Sequence, residues 1–259
     1  PMNQTVWLRC ARLWCQGLLL FTLRFAQLRT GFDPETGLTV PRTPGTALPI
    51  LLALFAAAEL VWCLRTRREE AGFTRHFAPP GDGAAAAAVL GGMLWAAGGL
   101  LMLLTAIPAR EVAGGVTGLL SLASGAGMVL LVRQARSGDA PGVTPALPAM
   151  FLGVFLVLEV YLPSSSDPVL ARFYIPLLAA VGTACAFSRL AGLLRGEGSV
   201  RAFVLWGDLA VLLCLAALAD GAYTVDGEPV PTSGAALPLR RRGAPADRLP
   251  LPPPDRPPA

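Results

Sequence analysis

Ala84-Ala-Ala-Ala-Ala-Val-Leu-Gly-Gly-Met-Leu-Trp-Ala-Ala-Gly-Gly-Leu-Leu-Met-Leu-Leu-Thr-Ala-Ile107 contains no charged side chain. At about 1.5 Å rise per residue a helix of this stretch is roughly 36 Å long, enough to cross a hydrocarbon core of about 30 Å. A soluble helix of that length keeps a polar face towards water, and this one has none to offer. After the short connection Pro108-Ala-Arg-Glu111, a second charge-free run extends from 112 to 132. The pair reads as two membrane-crossing helices joined by a tight turn.

Working outward, further apolar windows of spanning length lie at 47–64, 146–162, 172–194 and 201–221. Composition agrees. The 259 residues are 54% hydrophobic and 15% charged, with a mean hydropathy of +0.56. An ordinary soluble domain is about one-quarter charged, because its surface must face water. The sequence therefore predicts an all-α polytopic bundle over residues 1–224, followed from 225 to 259 by a Pro- and Arg-rich tail that lacks apolar periodicity and reads as disordered.

The stretch 6–28 is of another kind, since Arg9, Arg12 and Arg24 interrupt it. At 100° per residue Arg9, Arg12, Gln16, Arg24 and Gln27 share one arc of about a third of the helix. Trp7, Trp14, Phe21 and Phe25 project from the opposite side. The helix either spans with its polar stripe turned towards other helices, giving seven spans, or lies in the interface as an amphipathic helix beside six. Its length and the short loop that follows favour spanning. No small-residue cleavage site follows the run, so no removable leader is expected.

Cytoplasmic loops are enriched in basic residues. Arg65, Arg67, Arg68 and Arg75 then place the 65–83 loop inside, and alternate crossings put Arg133, Arg136, Arg195 and Arg201 on the same side. The 29–46 loop and the tail fall outside, giving an expected plasma-membrane protein with an extracytoplasmic C-terminal tail.

Ionisable residues within spans are the candidates for chemistry, as each costs about 2.5–3.5 kcal/mol at mid-bilayer on insertion scales. Glu59, Arg189 and Asp208 lie six or seven residues from Arg65, Arg195 and Arg201, hence at one depth. They are expected to form one charge cluster with Arg189 as counter-charge, either a register-fixing ion pair or a proton, cation or substrate site. Glu159 and Asp220 mark the outer boundary, joined by Asp33, Glu35, Asp167, Asp226 and Glu228 from loops and tail. Gly114, Gly118, Ser121 and Gly125 follow small-x-x-x-small spacing and predict close helix packing, with Gly91, Gly92, Gly98 and Gly99 on the facing helix.

Absences narrow the function. A single histidine, His76, gives no paired haem ligands, no serine–histidine dyad within the bilayer and no histidine-based zinc site. All 21 basic residues are arginine, so neither a retinal Schiff base nor a Walker-type phosphate loop can form. The arginines sit at span ends rather than on a basic face, which points away from nucleic acid. Cys10, Cys15, Cys63, Cys185 and Cys214 have no metal-binding or redox spacing. Glu69-Glu70 with Arg75 departs by one position from the E-E-x-x-x-R pattern of prenyl-protein proteases. Leu205 before Gly207-Asp208 departs from the intramembrane aspartyl protease signature. No cofactor or metal is expected, and the balance leans away from an enzyme.

Arg29-Thr-Gly-Phe-Asp-Pro-Glu-Thr-Gly-Leu38, Phe173-Tyr-Ile-Pro-Leu-Leu-Ala-Ala180 and Leu190-Ala-Gly-Leu-Leu194 resemble uncharacterised multi-helix membrane proteins of Gram-positive gut bacteria. The resemblance implies a bacterial plasma membrane and transfers no activity. Two functions stand open: an envelope interaction, sensor or accessory protein with a protein partner or a second copy, and a small permease using the carboxylate–arginine cluster.

Overall fold

The computed structural model of the chain describes residues 4–32, 40, 42–65, 81–137, 142–164, 174–222, 224–225 and 228–229. The long helices among them are α1 (Gln4–Thr30), α2 (Ala47–Arg65), α3 (Asp82–Ala109), α4 (Val112–Ser137), α5 (Leu147–Ser164), α6 (Tyr174–Leu194) and α7 (Val200–Ala222). Single 3-10 turns, Pro44–Thr46 and Thr144–Ala146, lead into α2 and α5. Apart from a two-residue ribbon, β1 (Thr224–Val225) antiparallel to β2 (Glu228–Pro229), the described fold is helical. Of the 225–259 tail, everything except Val225, Glu228 and Pro229 lies outside the described residues.

Five helices, α2, α3, α4, α6 and α7, are long and apolar enough to cross a membrane. The apolar stretch that includes most of α5, Thr144–Glu159, is shorter, and α1 carries its arginines. Side-chain placement follows the same logic. Leu94 is 74% exposed, Ile107 68% and Leu18 63%, while Arg24 and Glu59 are fully buried. A protein surrounded by water has the reverse distribution. An apolar exterior over a charged interior is the arrangement compatible with a multi-pass membrane protein.

Helix ends follow local chemistry. Pro108 sits in the last turn of α3, and Arg110 closes that helix in the left-handed region, φ 54°. The Glu111 amide donates to the Ala106 carbonyl and the Arg110 amide to that of Ile107, satisfying carbonyls that the helix leaves open. Gly196, φ 83°, ends α6 by the same arrangement, which turns the chain within a few residues into α7.

Neighbours follow one another in order: α3 lies against α4, α4 against α5, α5 against α6, and α6 against α7. The series then returns to its beginning, because α7 packs along α1 and also touches α2. The α3–α4 hairpin is closed through glycine. A β-carbon added at Gly92 would stand 2.9 Å from the Gly125 carbonyl oxygen, and one at Gly118 would stand 2.9 Å from that of Gly99. Backbones therefore meet directly at two levels, as small-residue spacing allows. Gly91 and Gly98, on the other side of α3, face open space.

Direction can be read from the contacts. Gly127 meets Pro145 while Thr117 meets Glu159, so α4 and α5 are antiparallel. Arg12 meets Glu59 while Gln27 meets Gly45 just before α2, so α1 and α2 are antiparallel. Between α1 and α7 the sense is the same in both helices: Arg9 meets Asp208, Gly17 meets Leu215 and Arg24 meets Asp220. Leu13 and Leu20 of α1, Leu48 of α2, Ile175 of α6, and Leu212 and Ala216 of α7 form a buried apolar core within this group.

Candidate functional site

The α7 residues Asp208, Leu212, Ala216 and Asp220 recur every four positions and so share one face. The polar stripe of α1 meets them. Asp208 and Asp220 are twelve residues apart, about 18 Å along the helix. Two charged layers result, one near each end of the helices, with the leucine-rich core between them.

In the first layer Arg9 pairs with Asp208, and Arg12 Nη2 donates to Glu59 Oε2 at 2.7 Å. The Arg12 guanidinium also lies 5.1 Å from the centre of the Trp62 ring, a cation–π contact. Two arginines of α1 and two acids, one on α2 and one on α7, thus stand together in one layer, with Cys63 of α2 buried nearby. Some capacity is left over. Glu59 Oε1, Arg9 Nε and Arg12 Nε are buried with no hydrogen-bond partner among the described residues.

In the second layer Arg24 is fully buried and grips Asp220 with two bonds, Nη2 to Oδ1 at 2.6 Å and Nε to Oδ2 at 3.2 Å. Its Nη1 donates to Gln27 Oε1 at 2.7 Å, and its guanidinium lies 5.5 Å from the centre of the Tyr174 ring. Such a fork-to-fork pair is the strong form of ion pair. Beside it a cavity of about 400 Å³ is lined by Gln27, Thr43, Gly45, Thr46 and Tyr174.

The sequence-derived site is thus rearranged. Glu59 and Asp208 lie in one charged layer, but Arg189 is exposed on α6 and pairs with neither carboxylate. Arg9 and Arg12 take the place foreseen for it. The physical reason is rotational: depth along a helix says nothing of the direction a side chain faces, and α1 intervenes against α2 and α7. Asp220 is buried and bound to Arg24. Glu159 pairs with no arginine among the described residues and stands 3.1 Å from the Thr117 hydroxyl. Gly118 and Gly125 lie in the α3–α4 seam, where Gly114 approaches Ala106 and Ser121 lies close to Gly99. Asp33, Glu35, Asp167, Asp226, His76 and the Glu69-Glu70 pair lie outside the described residues.

Sequence reasoning missed the arginines as partners, although the signal was present. Three arginines on one face of a helix within a bundle require acids opposite, and Asp208 and Asp220 share one face of α7. Among the described residues no group of three or more histidine, cysteine or acidic side chains could hold a metal, and none of the five cysteines is joined in a disulfide. Comparison of the chain with protein-family models, with curated proteins and with solved structures finds no match.

Proposed function

We propose that the chain is a seven-span protein of the bacterial plasma membrane that acts as an interaction, sensor or accessory protein. The observation that carries this reading is that Asp208, Glu59 and Asp220 are each engaged by an arginine of α1. Carboxylates committed in this way fix helix register, and a carrier needs charges free to exchange partners. α1 runs beside α7 from the first charged layer to the second, which supports its crossing the membrane. A helix lying flat in the interface would meet α7 at one level only.

Two measurements test the reading. With the native cysteines replaced, Gln4→Cys and Val40→Cys are labelled on intact cells with a membrane-impermeant maleimide. Seven spans require Val40→Cys to react and Gln4→Cys to be protected; labelling of both means that α1 lies in the interface. In proteoliposomes, the wild-type protein is expected to move protons and small cations no faster than empty vesicles.

The unfilled Glu59 Oε1 and the neighbouring arginine Nε groups favour a second reading, a permease whose relay passes through the first layer. It requires gradient-driven flux that disappears in folded Glu59→Gln or Asp208→Asn protein.

A further inference from the structure

Arg189, left out of the charged layers, lies in the last turns of α6, a helix long and apolar enough to cross a membrane. Its level in the bundle follows from the neighbouring helices. Thr117 of α4 and Pro176 of α6 line one cavity, and Met128 and Leu190 line a second, so α6 runs with α4 and hence against α5. α5 and α6 meet at Gly153, where an added β-carbon would stand 2.8 Å from both the Ala180 carbonyl oxygen and the Ala184 amide nitrogen. Arg189 is about seven residues past the middle of that contact, roughly 10 Å along the helix. The same distance back along α5 reaches Ala146, in the 3-10 turn that leads into α5 and that α6 also touches. Arg189 is therefore level with the start of α5.

At that level the apolar stretch of α5, Thr144–Glu159, has just begun. In a bilayer this is where hydrocarbon gives way to headgroups, and a long arginine side chain there keeps its stem among apolar groups and its charge among the headgroups. Arg133 stands further out. Gly127 of α4 meets Pro145 at the same turn, and Arg133 follows Gly127 by more than one further turn of α4, clear of the level of Arg189.

Phe187 and Leu190 turn into the bundle and line the second cavity, while Ser188 and Arg189 are exposed. Arg195, also exposed, follows Ser188 by two turns and falls on the same line of the helix. Leu178, 39% exposed, precedes Arg189 by three turns and falls on its line. The exposed strip of α6 thus carries two guanidinium groups and a hydroxyl at its end and apolar surface along its length. Glu197, in the turn that follows, is exposed, and its amide donates to the Gly192 carbonyl at 3.0 Å. A guanidinium grips phosphate oxygens through two parallel N–H···O bonds, and basic residues at the membrane surface attract anionic lipid. A phosphate that carries hydrocarbon matches both parts of the strip; a free phosphate matches only its end. We propose that this strip binds an anionic phospholipid, its phosphate held by Arg189 beside Ser188 and Arg195 and one acyl chain lying along α6 towards Leu178.

The site needs the protein to sit in a bilayer but does not involve α1, so it stands whether or not α1 spans. Its test uses the full-length protein in mild detergent, titrated with dioleoyl phosphatidylglycerol or dioleoyl phosphatidylcholine, with bound lipids counted by native mass spectrometry. Wild type is expected to hold one phosphatidylglycerol at least about tenfold more tightly than phosphatidylcholine, the scale of hydrogen bonding to a charged group. Arg189→Gln should weaken phosphatidylglycerol about tenfold and leave phosphatidylcholine within about twofold. Arg189→Lys, which keeps the charge and loses the two-bonded grip, should fall between them. Arg133→Gln, exposed at the same end of the bundle but further out, should leave both lipids within about twofold of wild type. Equal losses in Arg189→Gln and Arg133→Gln would show diffuse attraction to a basic end and overturn the proposal. Equal affinity of wild type for the two lipids overturns it too, as does displacement of phosphatidylglycerol by an equal concentration of inorganic phosphate, which would make this a site for a water-soluble anion. A lower unfolding temperature of Arg189→Gln with no phosphatidylglycerol present would mean that the guanidinium serves a contact within the protein, and would also overturn it.

Discussion

Replacing Asp220 with asparagine keeps the shape of the side chain and removes its charge, leaving Arg24 opposite an uncharged partner. Arg24 is 0% and Asp220 3% exposed, so water does not compensate. Breaking a buried pair from one side costs about 3–5 kcal/mol, roughly two to four orders of magnitude in the folding equilibrium. The Gln27 bond at 2.7 Å survives and the two bonds to Asp220 weaken, which places the expected loss near the lower figure, about 3 kcal/mol. Arg24→Met alone should cost a similar amount by stranding Asp220. The double variant Arg24→Met/Asp220→Leu removes both charges and should recover most of the loss, because an apolar pair of similar volume is often as stable as a buried ion pair. The assay is reversible unfolding in mixed detergent micelles, monitored by tryptophan fluorescence and combined as a double-mutant cycle. Additive single effects, or an Asp220→Asn cost below about 1 kcal/mol in folded protein, would refute the reasoning.

In the same assay Arg189→Gln should change stability by no more than about 0.5 kcal/mol, since that side chain is exposed and pairs with neither Glu59 nor Asp208. Gly118→Val and Gly125→Val should each destabilise by about 1–3 kcal/mol, because their added side chains meet the backbone of α3; a neutral result at both would sink the glycine seam. Gly91→Ala and Gly98→Ala, on the open side of the same helix, should instead stabilise by about 0.5–1 kcal/mol through helix propensity. Gly17→Leu should loosen α1 from α7 where it meets Leu215, costing about 1–3 kcal/mol; increased labelling of Cys63, buried beside the first charged layer, would report it.

Helix positions were legible because bilayer crossing needs long apolar runs, and the runs here stop at arginine, proline and glycine. The stretch 84–107 became Asp82–Ala109 and 112–132 became Val112–Ser137, each extended by polar or small residues at its ends. Gly92 and Gly99 could be foreseen near Gly118 and Gly125, since the short connection after Pro108 forces the two helices side by side. The charge partners were harder. Equal depth suggested Arg189 for Asp208, but depth is one coordinate of three, and the true partner, Arg9, is 199 positions away in sequence. Whether Thr117 and Ser121 face a neighbour or a cavity depends on how α3 leans across to α6, which no local pattern encodes.

The pairing of α1 with α7 also sets an order of events during synthesis. On the seven-span reading α1 enters the membrane with four arginines, and the α7 acids that match two of them, Asp208 and Asp220, are translated about two hundred residues later. Until then those guanidinium groups lack their α7 carboxylates, at an insertion cost of about 2.5–3.5 kcal/mol each if held at mid-bilayer. On that reading the bundle closes like a zip fastener drawn from the far end, because the α1–α7 layers can form only once the final helix has been made. A ribosome stalled before Asp208 would then leave α1 without either of its α7 carboxylates, an incomplete interval that ends only with α7.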